Sequence, residues 1–204
     1  MKRPLDAFLH HYVSSLARIA QELDLDRVAQ AVEVLRHARD AGRTVFVAGN
    51  GGSATVAANL VVDLVKCGSF DKEKRFRAIN LADAVSTITA YANDEGYETI
   101  FAEPLRNFAQ GGDVLVAISG SGDSPNVLRA IEAAHDIGCR TLALTSGEQG
   151  RLRELAELPL KVPSTHMGRL EDAFFLLTHA LAYPFIEEVE LPEDAAEPEG
   201  RESA

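Results

Sequence analysis

The stretch DVLVAISGSGDSPNV, residues 113–127, joins an apolar run to a loop of serines and glycines and then to a helical pattern. Asp113–Ile118 has the apolar composition of a strand buried on both faces, and Pro125 suits the first position of a helix. The earlier stretch TVFVAGNGGS, residues 44–53, has the same order of elements. Two strand–loop–helix units of this kind predict an α/β fold with a parallel sheet.

The remaining chain alternates in the same way on both sides of these units. Two amphipathic helices come first, one with apolar residues recurring from Leu5 to Leu23 and one over Leu25–Ala41 that Gly42 ends. We therefore expect a three-layer αβα sandwich with a central parallel, flavodoxin-like sheet and an N-terminal helical hairpin within residues 1–42. Further strands are predicted at 76–81, 140–145 and 158–162, and helices at 54–66, 84–91, 97–110, 125–137, 150–156 and 168–188.

Length and composition are those of one globular domain, with 204 residues, 46% hydrophobic and 25% charged. We predict a single domain over residues 1–190 and an acidic, disordered tail over 191–204. Residues 187–204 hold eight acidic residues and one basic residue, and so carry much of the net charge of −11. The remaining body is also acidic, which argues against direct binding of nucleic acid, because a phosphate backbone needs clustered Lys and Arg.

Neither a membrane segment nor an export signal is evident in the sequence. No apolar run approaches the roughly 20 residues of a membrane span, and the N-terminus lacks the apolar core of a signal peptide. Cys67 and Cys139 are the only cysteines, and two isolated thiols fit a reducing compartment. We therefore expect a cytoplasmic protein that makes no contact with a membrane.

The first loop, Gly49-Asn50-Gly51-Gly52-Ser53, has the chemistry of an anion site. Its glycines let the backbone approach a ligand closely, and Ser53 is expected to cap the helix that follows. The N-terminus of that helix favours an anion.

The second loop supplies hydroxyl groups that can surround a phosphate, from Ser119, Ser121 and Ser124, with Gly120 between the first two. Plain turns share this composition, but two such loops at strand–helix junctions favour a phosphate site. Neither loop matches the P-loop or the dinucleotide-binding fingerprint, so we expect no nucleotide cofactor.

These motifs resemble the sugar isomerase (SIS) domain family, and within it the phosphoheptose isomerase branch. The resemblance implies an aldose–ketose isomerase that converts sedoheptulose 7-phosphate to D-glycero-D-manno-heptose 7-phosphate through an enediol. It also implies a homotetramer with sites near subunit contacts, and zinc in several members. It is carried by VFVAGNGGS at 45–53, ANDEGYE at 92–98, GDVLVAISGSGDSPNV at 112–127, LALTS at 142–146, VPS at 162–164 and the LED…H pattern that begins at Leu170.

The resemblance also implies residue roles. Asp63 and His179 stand at the positions of the proton-transfer pair: one group takes a proton from the carbon next to the carbonyl and the other serves the oxygens. Histidine titrates near neutral pH and suits either task. Asn50 and Asp94 are expected beside the sugar hydroxyls. The phosphate is expected at Ser53, Ser119, Ser121 and Ser124 and the neighbouring Gly51, Gly52 and Gly120.

Three positions depart from the family's usual pattern. Asp63 replaces a Glu, Asn59 replaces a metal-ligating His, and Glu171, which is expected near the substrate, replaces a Gln. Asp63, Glu171 and His179 could form an oxygen-rich metal site with one imidazole. The missing second imidazole is expected to weaken zinc binding.

Two other functions stay open at this point. The chain could be a non-catalytic SIS-domain binding protein, like the DiaA-like partners of the bacterial replication initiator, because Asn59 and Asp63 depart from the catalytic pattern; the retained His179 argues against this. It could also isomerise a different phosphosugar. Taken without the resemblance, Asp63 is a carboxylate on a solvated helix edge and His179 a core or interface histidine.

Overall fold

A computed structural model describes residues 4–191 and contains one sheet of five parallel strands in the order β2-β1-β3-β4-β5. This is the strand order of flavodoxin-like folds, so the predicted fold class is confirmed. The strands are β1 (Thr44–Gly49), β2 (Arg77–Asn80), β3 (Val114–Ser119), β4 (Arg140–Ser146) and β5 (Leu158–Val162).

Helices cover both faces of this sheet. Helices α1, α2, α3 and α8 lie on one face, and α4 to α7 lie on the other. None of the helices within residues 4–191 is long and apolar enough to cross a membrane. The helices are α1 (Leu5–Gln21), α2 (Leu25–Asp40), α3 (Gly52–Val62), α4 (Val85–Asp94), α5 (Ala102–Phe108), α6 (Pro125–Ile137), α7 (Leu152–Leu155) and α8 (Met167–Ile186).

Strand β1 shows why the central strands read as continuous apolar runs. All of its residues are buried. Val45 and Val47 enter the core beneath α2, α3 and α8, whereas Phe46 and Ala48 enter the core beneath α5 and α6. A strand covered on both faces needs apolar side chains at every position.

Two predicted helices differ in the structure. The helix expected over 97–110 is divided into a 3-10 turn, Tyr97–Thr99, and α5. Pro104 explains the division. Proline is tolerated in the first turn of a helix, but in a helix interior its ring clashes with the backbone of the preceding turn. The helix expected over 54–66 is α3 followed by a π-helical turn, Asp63–Cys67. Single π turns inside helices are frequent at functional sites.

The two helices of the predicted N-terminal hairpin are present as α1 and α2, and each of them packs against α8. Gly42, with a φ of 66°, follows α2 as expected. Of the predicted acidic tail, Leu191 packs against the core that α2 and α8 share. The rest of the tail, 192–204, lies outside the described residues.

Candidate active site

The two glycine- and serine-rich loops leave the sheet side by side. Strands β1 and β3 are adjacent, and Gly49 pairs with Ile118 at their carboxyl ends. The chain continues from β1 toward β2 on one side of this point and from β3 toward β4 on the other. Ligands of open α/β sheets bind in the crevice where the strand order reverses in this way.

The serines of the second loop form one hydroxyl cluster. The Oγ of Ser119 lies 3.3 Å from that of Ser121 and 3.2 Å from that of Ser124, and the last two are 3.5 Å apart. The backbone N–H of Gly122 donates to Ser119 Oγ at 3.1 Å. Because a hydroxyl can rotate and can both donate and accept, this cluster can turn its hydrogens toward an anion.

The first loop places an uncapped helix end beside this cluster. Gly51, with a φ of 53°, is the N-cap residue of α3, and no side chain caps the helix. The prediction that Ser53 caps α3 is therefore wrong: the turn at Gly51 starts the helix before Ser53, which lies inside the first turn. Without a capping side chain, the first N–H groups of α3 remain available to an anion.

Glu171 reaches the first loop from α8. A Cβ atom on Gly52 would lie 2.5 Å from Glu171 Cδ, so glycine at this position makes room for the carboxylate. The neighbouring Asp172 is engaged elsewhere, because Tyr12 donates its hydroxyl to Asp172 Oδ2 at 2.6 Å. That hydrogen bond raises the pKa of Tyr12. Of the two acids, Glu171 alone contacts the loop.

Asn50 is held by two residues that the sequence did not single out. Asn126, in the first turn of α6, forms two amide–amide hydrogen bonds with Asn50, and the hydroxyl of Tyr97 donates to Asn50 Oδ1 at 3.1 Å. Tyr97 lies in the ANDEGYE motif and Asn126 in the SPNV segment. Their membership in these two motifs is the sequence feature that could have identified them as site residues.

Asp94 occupies the exposed end of α4, and its carboxylate accepts a hydrogen bond from Asn93 Nδ2 at 2.7 Å. It lines a cavity of about 420 Å³ whose walls come from residues 86–95. No contact between Asp94 and the serine cluster is seen within residues 4–191, and its place beside the sugar stays a prediction.

Asp63 and His179 come together across α3 and α8. His179 Nε2 lies 3.7 Å from Asp63 Oδ2, and Asn59 Nδ2 donates to the same oxygen at 3.1 Å. The Asp63 side chain is 13% exposed and that of His179 is 50% exposed, with its ring against Tyr183. The Asp63 carboxylate is thus mostly buried, whereas the His179 imidazole is half exposed.

The three residues of the predicted metal site do not converge within residues 4–191 of this chain. Glu171 lies against Gly52, whereas Asp63 is eleven residues further along, about 16 Å at the rise of an α-helix. No group of three His, Cys, Asp or Glu side chains suited to a metal occurs within residues 4–191. Asp63 and His179 of one chain therefore lie next to each other, and Glu171 of the same chain lies elsewhere, against Gly52.

The chain as a whole is similar to known proteins of one family. The SIS domain family matches residues 7–146. The phosphoheptose isomerase of Geotalea daltonii is 38% identical over 174 residues, which cover 85% of this chain and 89% of the relative. That of Citrifermentans bemidjiense is 41% identical over 155 residues, 76% of this chain and 80% of the relative.

Solved structures give the same result. A phosphoheptose isomerase from Francisella tularensis superposes with a TM-score of 0.81 at 30% identity, covering 90% of this chain and 96% of that one. A phosphoheptose isomerase from Neisseria gonorrhoeae superposes with a TM-score of 0.83 at 27% identity, covering 90% and 100%. The chain therefore belongs to the SIS domain family, in its phosphoheptose isomerase branch.

Proposed function

We propose that this protein interconverts sedoheptulose 7-phosphate and D-glycero-D-manno-heptose 7-phosphate. The observation that carries the proposal is the serine hydroxyl cluster of Ser119, Ser121 and Ser124 beside the uncapped N-terminus of α3. Hydroxyls and helix-end amides together suit a phosphate. The phosphoheptose isomerase relatives favour an enzyme over a binding protein.

The reaction moves one proton between two carbons and needs no external oxidant. A base removes a proton from C1 of the ketose, next to the C2 carbonyl, and the electrons of that C–H bond form the C1=C2 bond of the enediol. A proton then returns to C2, while the O1 proton leaves and O2 gains one, which gives the aldose. Two proton-transfer groups are therefore required.

Asp63 and His179 are the pair that we assign to these transfers. Asn59 donates to Asp63 Oδ2 and so orients the carboxylate, and the exposed imidazole of His179 is open to a substrate oxygen. Protein groups alone carry the protons in this scheme. Zinc, if it contributes, would be revealed by assays with and without the added metal.

We infer that the phosphate loops and the acid–base pair of one site come from different subunits. Asp63 lies ten residues beyond Ser53, about 15 Å along the helix. Exposed apolar side chains surround the pair: Val62, Val65, Leu176 and Tyr183. Such a patch is typical of an interface. A homo-oligomer, which we propose to be a tetramer, would cover this patch and bring a partner's loops to the pair.

Turnover of sedoheptulose 7-phosphate, followed by NMR detection of the aldose, tests the function. Asp63→Asn and His179→Ala should each lower turnover at least about a hundredfold, the scale of acid–base groups. The exposed residues Asp26 and His10 provide matched controls, Asp26→Asn and His10→Ala, which should leave turnover unchanged. Full activity of both site variants would show that the roles are assigned wrongly.

If the wild-type protein leaves sedoheptulose 7-phosphate unchanged, a panel of other ketose phosphates tests the alternative substrate.

We also propose a cytoplasmic location, supported by the two free thiols, Cys67 and Cys139, which suit a reducing compartment.

A further inference from the structure

Asn126 forms a reciprocal pair of hydrogen bonds with Asn50 that joins the two phosphate loops. Asn126 Nδ2 donates to Asn50 Oδ1 at 2.8 Å, and Asn50 Nδ2 donates to Asn126 Oδ1 at 2.9 Å. Asn50 belongs to the first loop, and Asn126 follows the second loop as the second residue of α6. The two residues are 76 positions apart in the chain.

The orientation of both amides is fixed by their neighbours. The backbone N–H of Val127 donates to Asn126 Oδ1 at 3.0 Å, and a backbone N–H can only donate. Asn126 must therefore present its oxygen to Val127 and its amide group to Asn50. The Asn126 amide group can only donate, so Asn50 must turn Oδ1 toward it, and the Tyr97 hydroxyl then donates to the same oxygen.

Burial separates the roles of the two asparagines. Asn126 is 1% exposed, so it is shielded from a ligand in the crevice. Asn50 is partly exposed, and one hydrogen of its Nδ2 group remains after the bond to Asn126. Asn50 can therefore contact a ligand, while Asn126 holds it in place.

We infer that Asn126 is a positioning residue, which acts through Asn50 to hold the first loop in register with the serine cluster. The inference rests on the proposed binding of phosphate by these loops. A cradle made of two separate loops binds an anion well only when their relative positions are set in advance, because ordering them on binding costs affinity. Loss of Asn126 should therefore weaken phosphate binding more than it slows the chemical step.

The experiment measures inorganic phosphate binding by phosphorus NMR titration, together with kcat and KM. Asn126→Ala should raise the Kd for phosphate and the KM by about tenfold, the usual effect of a lost buried hydrogen bond, with a smaller change in kcat. Asn126→Leu is uncharged and close in shape but loses both hydrogen bonds to Asn50, so it should show the same rise even if the alanine variant folds poorly.

Two comparisons distinguish a positioning role of Asn126 from a general loss of protein stability. The double variant with Asn50→Ala and Asn126→Ala should bind phosphate no worse than Asn50→Ala alone, because Asn126 acts through Asn50. Thr141→Val removes another buried polar group, one that accepts a hydrogen bond from the Glu157 N–H at 3.0 Å near the amino end of β4, the end of the strands opposite the loops. That variant should lower thermal stability and leave the phosphate Kd unchanged.

The inference is overturned if Asn126→Leu binds phosphate as wild type does, if the losses in the double variant multiply, or if Thr141→Val raises the Kd equally. Absence of phosphate binding by the wild-type protein would overturn it together with the phosphate site. Phosphate binding without turnover would refute the isomerase function and leave the positioning role standing.

Discussion

Mixing two inactive variants should restore activity if each site takes its phosphate loops from one subunit and its acid–base pair from another. Ser121→Asp places a carboxylate among hydroxyls 3.3 and 3.5 Å away, where it repels a phosphate. Asp63→Asn removes the carboxylate of the pair. Each variant alone should be nearly inactive.

The expected recovery follows from random assembly of equal amounts of the two chains. A shared site is intact when its loops come from the Asp63→Asn chain and its pair comes from the Ser121→Asp chain. Each choice is made half of the time, so about a quarter of the sites should be intact. A site built from one chain would recover nothing, because every chain carries one lesion.

The assay is isomerase turnover after the two variants are unfolded together in urea and refolded as a mixture. The matched control combines Asp63→Asn with His179→Ala. Both residues belong to one intrachain pair, 3.7 Å apart, so this mixture should stay inactive. Activity of the first mixture no higher than that of the separately refolded variants would refute the division of the site between subunits.

Two further predictions concern glycine and cysteine positions. Gly49→Ala should lower the free energy of unfolding by about 2 kcal/mol in urea denaturation, because the new Cβ would lie 2.8 Å from the backbone C and O of Ser53. Gly111→Ala is the control, because the nearest atom to its new Cβ is 3.5 Å away. Equal stability of the two variants would contradict the steric argument. Burial raises the pKa of Cys139 to about 11. At pH 8, N-ethylmaleimide should therefore modify Cys139 about a hundredfold more slowly than an ordinary thiol. Mass spectrometry would follow both cysteines, and equal rates of modification at Cys139 and Cys67 would contradict the prediction.

Local patterns were enough wherever one short segment decides its own structure. The continuous apolar run of β1 identified a strand covered on both faces, and Gly42 marked the end of α2. Predictions from local sequence were wrong where a nearby glycine or proline changes the course of the backbone. Ser53 has the composition of a cap, but Gly51 turns the chain first, and Pro104 divides a segment whose apolar spacing suits one long helix.

The sequence by itself determined the order of strands and helices along the chain and the two loops rich in glycine and serine, and the family motifs pointed to Asp63 and His179. Only the tertiary structure decided that Asn126 holds Asn50, that Glu171 lies against Gly52, and that Asp63 and His179 meet away from Gly52 of their own chain. The physical reason is that hydrophobic periodicity and turn chemistry act over a few residues. Contacts between residues 76 or more positions apart depend on how β1, β3 and α8 pack together.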